Sequence, residues 1–196
     1  MLGLVCLENA GRLDQPWAAN PVLLMRARIF SCDNGELSVL LVEAPVSHFS
    51  HDLRENALVC HPSGGFSFGA IPEMPQYSLP GGDIFLRAGV HLGPNRGFGV
   101  RHIWEAHQKD LAKHGCTSIE SIAVHIASIV VPNAPIYCEF REIKKEQRVA
   151  VLKLKMGSLI LEARHERRGF GYYVVTWYPQ SRPSGTLVGR VVARQI

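Results

Sequence analysis

No run of this chain reaches the roughly 18 consecutive apolar residues that a membrane-spanning helix requires, although 46% of its 196 residues are apolar. Residues 1–7 show no basic cluster, long apolar core or cleavage site of the kind that marks a secretory leader. A soluble, unprocessed chain is the expectation, with apolar content enough for one core and a small appended layer. Cysteine is sparse: Cys6, Cys32, Cys60, Cys116 and Cys138 are odd in number, far apart and never in a C-x-x-C pair. That spacing indicates neither a disulfide framework nor a zinc ribbon, and the five read as buried thiols of a reducing compartment. The H-E-x-x-H signature is missing too, and the nine histidines have no accompanying acid cluster, so neither a metal nor a cofactor is expected. Internal repeats and low-complexity tracts are absent.

Charge is present but lopsided. The net charge is +4, yet residues 1–80 hold four Arg against eight acids, a net of −4, while residues 81–196 hold seventeen Lys or Arg against nine acids, a net of +8. Such asymmetry suits a lobe that attracts a polyanion; a solvated basic face is the plain alternative.

Residues 22–30 and 36–43 are apolar, β-prone runs joined through Ser31-Cys32-Asp33-Asn34-Gly35. Asn-Gly is the preferred pair of a type I′ turn, so a β-hairpin is expected within an N-terminal extension, residues 1–81. Residues 45–82 are rich in Pro, Gly, Ser and His without a sustained period, and Tyr77-Ser78-Leu79-Pro80-Gly81-Gly82 marks a boundary. A second domain, residues 82–196, begins with a strand at 83–92, broken by Gly93-Pro94-Asn95-Arg96-Gly97. A helix over 100–113 ends at Gly115. Thr117-Ser118-Ile119-Glu120 reads as a capping box opening a second helix, whose apolar stripe is Ile119, Ile122, Ala123, Ile126, Ile129 and Val130. Pro132 and Pro135 stop it. Strands follow at 136–143, 148–155, 159–166 and 172–178, with a short one near 186–193, joined by links short enough for hairpins. The expected fold is α+β, with two helices packed on a four- to five-stranded antiparallel sheet.

The chemistry concentrates in two segments. Gly97-Phe98-Gly99-Val100-Arg101-His102-Ile103-Trp104-Glu105-Ala106-His107 places two histidines near the start of the first helix. Five residues apart, they sit roughly 140° from each other on an ideal helix. That misses the i, i+4 geometry of a helical zinc pair and suits an acid and a base on opposite sides of a scissile bond. One core and one surface histidine is the plain alternative. His107, Asp110 and His114 share a helical face as an alternative metal set, flanked by Lys109 and Lys113. In Gly171-Tyr172-Tyr173-Val174-Val175-Thr176-Trp177-Tyr178-Pro179, strand alternation puts Thr176 and Tyr178 on the face of Tyr172 and Val174, with Tyr173, Val175 and Trp177 opposite. Hydroxyls there either bond a phosphate oxygen or simply pack. Among the strand cations Arg141, Lys153, Lys155 and Arg164, the first two are preferred for neutralising a pentacoordinate phosphorane; solvent-facing positions are the alternative.

Gly89, Gly97-Phe98-Gly99, His102-Ile103 and His107, then a second helix and a meander ending in Val174-Val175-Thr176-Trp177-Tyr178-Pro179, resemble the phage-type branch of the barnase, EndoU, colicin and RelE-like ribonuclease superfamily, the BECR fold. The resemblance covers residues 82–196 and leaves 1–81 outside it. It implies helices on an antiparallel sheet and metal-independent cleavage of RNA, often tRNA. His102 and His107 match the family's histidines, Thr176 its late-strand hydroxyl, and Tyr178 the aromatic that follows. The family's basic residue has no clean counterpart, which leaves Arg141 and Lys153 as the choices, and Trp177 stands where smaller residues are common, narrowing the site. The implied protein is a toxin or effector endoribonuclease that leaves a 2′,3′-cyclic phosphate. It would act in the cytoplasm, including that of a target cell into which it is delivered, on RNA as substrate and with an acidic immunity protein as partner. Two other readings stand beside this one: an inactive RNA- or protein-binding module of phage or toxin origin, and a metal-dependent hydrolase resting on the histidines, His48 and His51 among them.

Overall fold

The computed structural model describes residues 28–31, 37–40, 49–140, 147–153, 155–179 and 185–193. The chain forms two compact units, Met1–Glu43 and Ala44–Ile196. In the first, β1 (Arg28–Ser31) pairs antiparallel with β2 (Leu37–Leu40); the expected Asn34-Gly35 turn lies outside the described residues.

In the second unit, β3 (Ser67–Ile71), β4 (Gly82–Phe85), β5 (Val90–His91) and β6 (Gly97–Phe98) precede α1 (Gly99–Lys113) and α2 (Ile122–Ile129). Then come β7 (Pro135–Phe140), β8 (Gln147–Lys153), β9 (Gly157–Glu166), β10 (Gly169–Tyr178) and β11 (Thr186–Arg190). The class is α+β. Strands run β11-β7-β8-β9-β10-β4-β3 across one sheet, and β5 pairs with β6 as a separate small ribbon.

This sheet corrects the expected one of four or five antiparallel strands: among the described residues it has seven, and the β10–β4 pair is parallel. Parallel pairing is open to β4 because its connection to β10 passes through both helices and five other strands, free of any hairpin constraint. β3 escaped the sequence pattern because both of its faces are largely buried, which erases the alternation that marks a half-buried strand. The compact unit thus takes in residues from Ala44 onward, where the sequence pattern had suggested a start at residue 82. The expected strand over 83–92 is two short ones, divided where Gly89 adopts φ +72.

The sheet curls until its ends meet. Ala70 of β3 and Val192, just past β11, exchange both backbone hydrogen bonds, at 3.3 and 2.9 Å. α1 packs on β10, burying Val100, Ile103 and Leu111, and α2 lies against β8 and β9, burying Ile122, Ala123, Ile126 and Ile129. The second helix is entered through a 3-10 turn, Ile119–Ser121, capped at Ser118, where the Ser121 hydroxyl accepts the Ser118 N–H at 3.3 Å. The cap therefore falls one residue later than the Thr117 frame. Among the described residues no helix is long and apolar enough to cross a membrane.

Candidate active site

Two glycines set where α1 begins. Gly89 and Gly99 hold φ +72 and +75, and a Cβ on Gly89 would fall on the Phe98 carbonyl, one on Gly99 on the Arg87 carbonyl. Only bare backbone allows so close a crossing. It lets the carbonyls of Arg87 and Ala88 accept the N–H groups of Val100 and Arg101, each at 3.0 Å, so two donors at the helix start that have no intrahelical partner are satisfied.

His102, on the first turn and a half, is buried. Its ring lies end to end and nearly coplanar with that of His91, with centroids 5.4 Å apart, planes 22° apart and the two Nδ1 atoms 3.2 Å apart. Burial, then repulsion from His91 and His107, lowers its pKa, against a smaller opposing contribution from the Arg96 backbone.

His107 sits at a kink. Its φ −134 and ψ 17 interrupt α1, so the ideal-helix angle between the two histidines does not apply. Its Nε2 is 3.5 Å from Thr176 Oγ1, and its ring meets Trp177 and Tyr178 edge-on at 5.7 and 5.4 Å. Burial lowers its pKa, partly offset by Asp110. That carboxylate is engaged by Lys113 Nζ at 2.6 Å.

Strand β10 delivers Thr176 through a register shift. Val174 pairs with Leu161 and Thr176 with Ile160, which leaves Val175 as the extra residue of a bulge. Residues directly opposite share a face, so Thr176 and Tyr178 join Tyr173, while Trp177 joins Tyr172 and Val174. This corrects the simple alternation, which had put Thr176 and Tyr178 on the face of Tyr172. The fully buried Trp177 donates its indole N–H to the Met156 carbonyl at 2.8 Å.

The structure therefore gathers His107, Thr176 and Tyr178, with His102 earlier on the same helix. Arg141 lies outside the described residues. The Lys153 backbone ends β8, two strands from β10 and one position beyond the row Leu152, Ser158 and Tyr178. Two residues near the site escaped sequence reasoning. One is His91, whose approach to His102 crosses a glycine-rich turn with no periodic signal. The other is Arg87, a lone cation in an apolar run. Its buried guanidinium lies 4.2 Å from the Phe98 ring centre and 4.8 Å from that of Tyr173, and its Nη1 reaches Asn56 Oδ1 at 3.2 Å and Glu166 Oε1 at 3.5 Å.

The alternative set His107, Asp110 and His114 does not converge: Asp110 turns to Lys113, and His114 packs beside His125 and Trp177. Among the described residues no three His, Cys, Asp or Glu side chains are placed to hold a metal ion. An open cleft of about 430 Å³ lies along α1, lined in part by His91, Arg101, Trp104 and Glu105. The Arg101 guanidinium there is tied to the carbonyls of Gly89, His51 and Leu53 at 2.6–2.8 Å.

His125 supports this region from α2. It is buried edge-on against Trp177 at 5.1 Å, and its Nε2 has no hydrogen-bond partner among the described residues. Burial, then repulsion from His114, lowers its pKa from 6.5 to about 4. Between those values the unfolded chain binds the extra proton, so stability is complete above pH 6.5 and falls as the pH drops towards 4. The loss should approach about 3 kcal/mol. Urea unfolding at pH 7 and pH 4.5 should reveal it, and His125→Leu should shrink the difference; an equal loss in the variant would contradict the assignment.

Comparison with protein-family models, curated proteins and solved structures finds no match to this chain.

Proposed function

We propose that the Ala44–Ile196 unit is a metal-independent endoribonuclease of BECR-like arrangement, a toxin or effector that cleaves RNA, tRNA included. The observation that supports this most is the contact of His107 with Thr176 where a helix kink meets a strand bulge, with a second imidazole earlier on the same helix. Both imidazoles have lowered pKa values, so both are readily neutral, and one protonated ring beside one neutral ring is what transesterification of RNA requires. One ring removes the proton of a ribose 2′-hydroxyl as its oxygen bonds phosphorus. The other protonates the departing 5′-oxygen, leaving a 2′,3′-cyclic phosphate and a 5′-hydroxyl. Thr176 and Tyr178 offer hydrogen bonds to a non-bridging oxygen, and Arg141 and Lys153 are the cations proposed to offset phosphorane charge. The net +8 over residues 81–196 favours a polyanionic substrate, and an acidic immunity protein would suit the same half.

Incubating the pure protein with total tRNA in EDTA tests the reading: cleavage to cyclic-phosphate ends is expected. Cleavage that appears only on adding a divalent metal would make the protein a metal-dependent hydrolase, and binding without cleavage an inactive RNA-binding module. Affinity for RNA should fall steeply between about 50 and 200 mM salt as released counterions lose their advantage. Binding indifferent to salt would contradict an electrostatic interface.

A further inference from the structure

His102 is only 6% exposed, whereas His91, edge to edge with it, is half-buried and lines the cleft along α1. With the two Nδ1 atoms 3.2 Å apart, a pair of neutral imidazoles must share one proton across that gap, one ring donating and the other accepting. That contact occupies Nδ1 of His91 and leaves its Nε2, one ring carbon away, outside it, on a ring that lines the cleft. We propose that His91 is a catalytic residue whose Nε2 accepts the substrate proton, and that His102 is the positioning residue behind it, accepting the His91 Nδ1–H. The proposal rests on the ribonuclease reading above.

In that reaction the ribose 2′-hydroxyl passes its proton to His91 Nε2 while the 2′-oxygen bonds phosphorus. The bond from phosphorus to the 5′-oxygen breaks, and that oxygen takes a proton from the His107 imidazolium. His91, now imidazolium, is held through Nδ1–H to His102, as a triad's orienting group holds its histidine. His102 suits the acceptor role because burial, then His91 and His107, oppose its protonation more than the Arg96 backbone favours it. Among the titratable and charged groups lining the cleft, Arg101 is tied to three backbone carbonyls, His51 lies 3.6 Å from Glu120, and Glu105 is an exposed carboxylate.

Ring ¹⁵N NMR of the full chain reads the pairing without reference to activity. His91 should carry its proton on Nδ1, and His102 should present a bare Nδ1; the reverse assignment would overturn the roles given. In the cleavage assay, His91→Ala and His91→Gln should each lower kcat about 100-fold or more with KM little changed, and abolish the acidic limb of the pH profile. His102→Gln, which keeps an acceptor near the same place, should shift that limb and recover rate lost in His102→Ala. Circular dichroism accompanies each variant, and His91→Gln, closest in size and polarity, decides if His91→Ala fails to fold. Wild-type cleavage alongside full rate and an intact acidic limb in a folded His91 variant would overturn the proposal while leaving the ribonuclease reading in place. A wild type that cleaves no RNA would overturn both.

Discussion

His107→Ala lowers RNA cleavage by about 10²-fold or more, the ordinary contribution of general acid–base catalysis, in a protein that still folds. His107 is half-buried at the kink of α1, and truncating it removes the imidazole that Thr176 Oγ1 faces at 3.5 Å. Thr176→Val removes one hydrogen bond of about 1 kcal/mol and keeps the volume, so its cost should be several-fold. The pH dependence of the acid group follows from the lowered pKa of His107. The kcat/KM profile, which reports the free enzyme, should lose activity on its alkaline limb below 6.5. The kcat profile should lie higher, because a bound phosphodiester's negative charge favours the imidazolium. A well-folded His102→Ala/His107→Ala double variant with full activity would falsify the site, and an alkaline limb of kcat/KM above pH 7 would contradict the burial that lowers His107.

Gly89→Ala and Gly99→Ala are expected to destabilise the protein by about 3 kcal/mol or more, combining left-handed strain with a collision against backbone. For a domain of this size that lowers Tm by about 10 °C. Gly115 is the internal control: its φ is +77, but a Cβ there meets nothing within 4 Å, so Gly115→Ala should cost only about 1 kcal/mol. Thermal melts of the three variants separate strain from collision. Equal Tm values for Gly89→Ala and Gly115→Ala would mean that the backbone crossing at the start of α1 is not as tight as described. Activity should fall further than stability alone explains, since the crossing sets where His102 stands.

Local signals in the sequence were strong wherever a single element decided its own form. Gly115, at φ +77 just past the end of α1, and the apolar stripe of α2 are legible because caps and periodicity act within one or two turns. What stayed hidden depends on distant neighbours. β3 reads as loop because both of its faces are largely buried by parts of the chain distant in sequence, which removes the alternation. The bulge at Val175 is invisible until Leu161 and Ile160 stand opposite, and it reverses the face that Thr176 occupies. The kink at His107 occurs without proline, glycine or serine beside it. His91 gains its meaning only when the β5–β6 ribbon folds it onto His102.

The meeting of Ala70 with Val192 also governs how the chain reaches this state. It joins the first strand of the sheet to the segment after the last, and β4 likewise waits for β10. Neither pairing forms before nearly the whole unit is present, so the entropy of closing long loops is met late, and refolding should run in milliseconds to seconds. The interval before β11 docks leaves the outer strands unpaired. Aggregation during expression or refolding should therefore concentrate there.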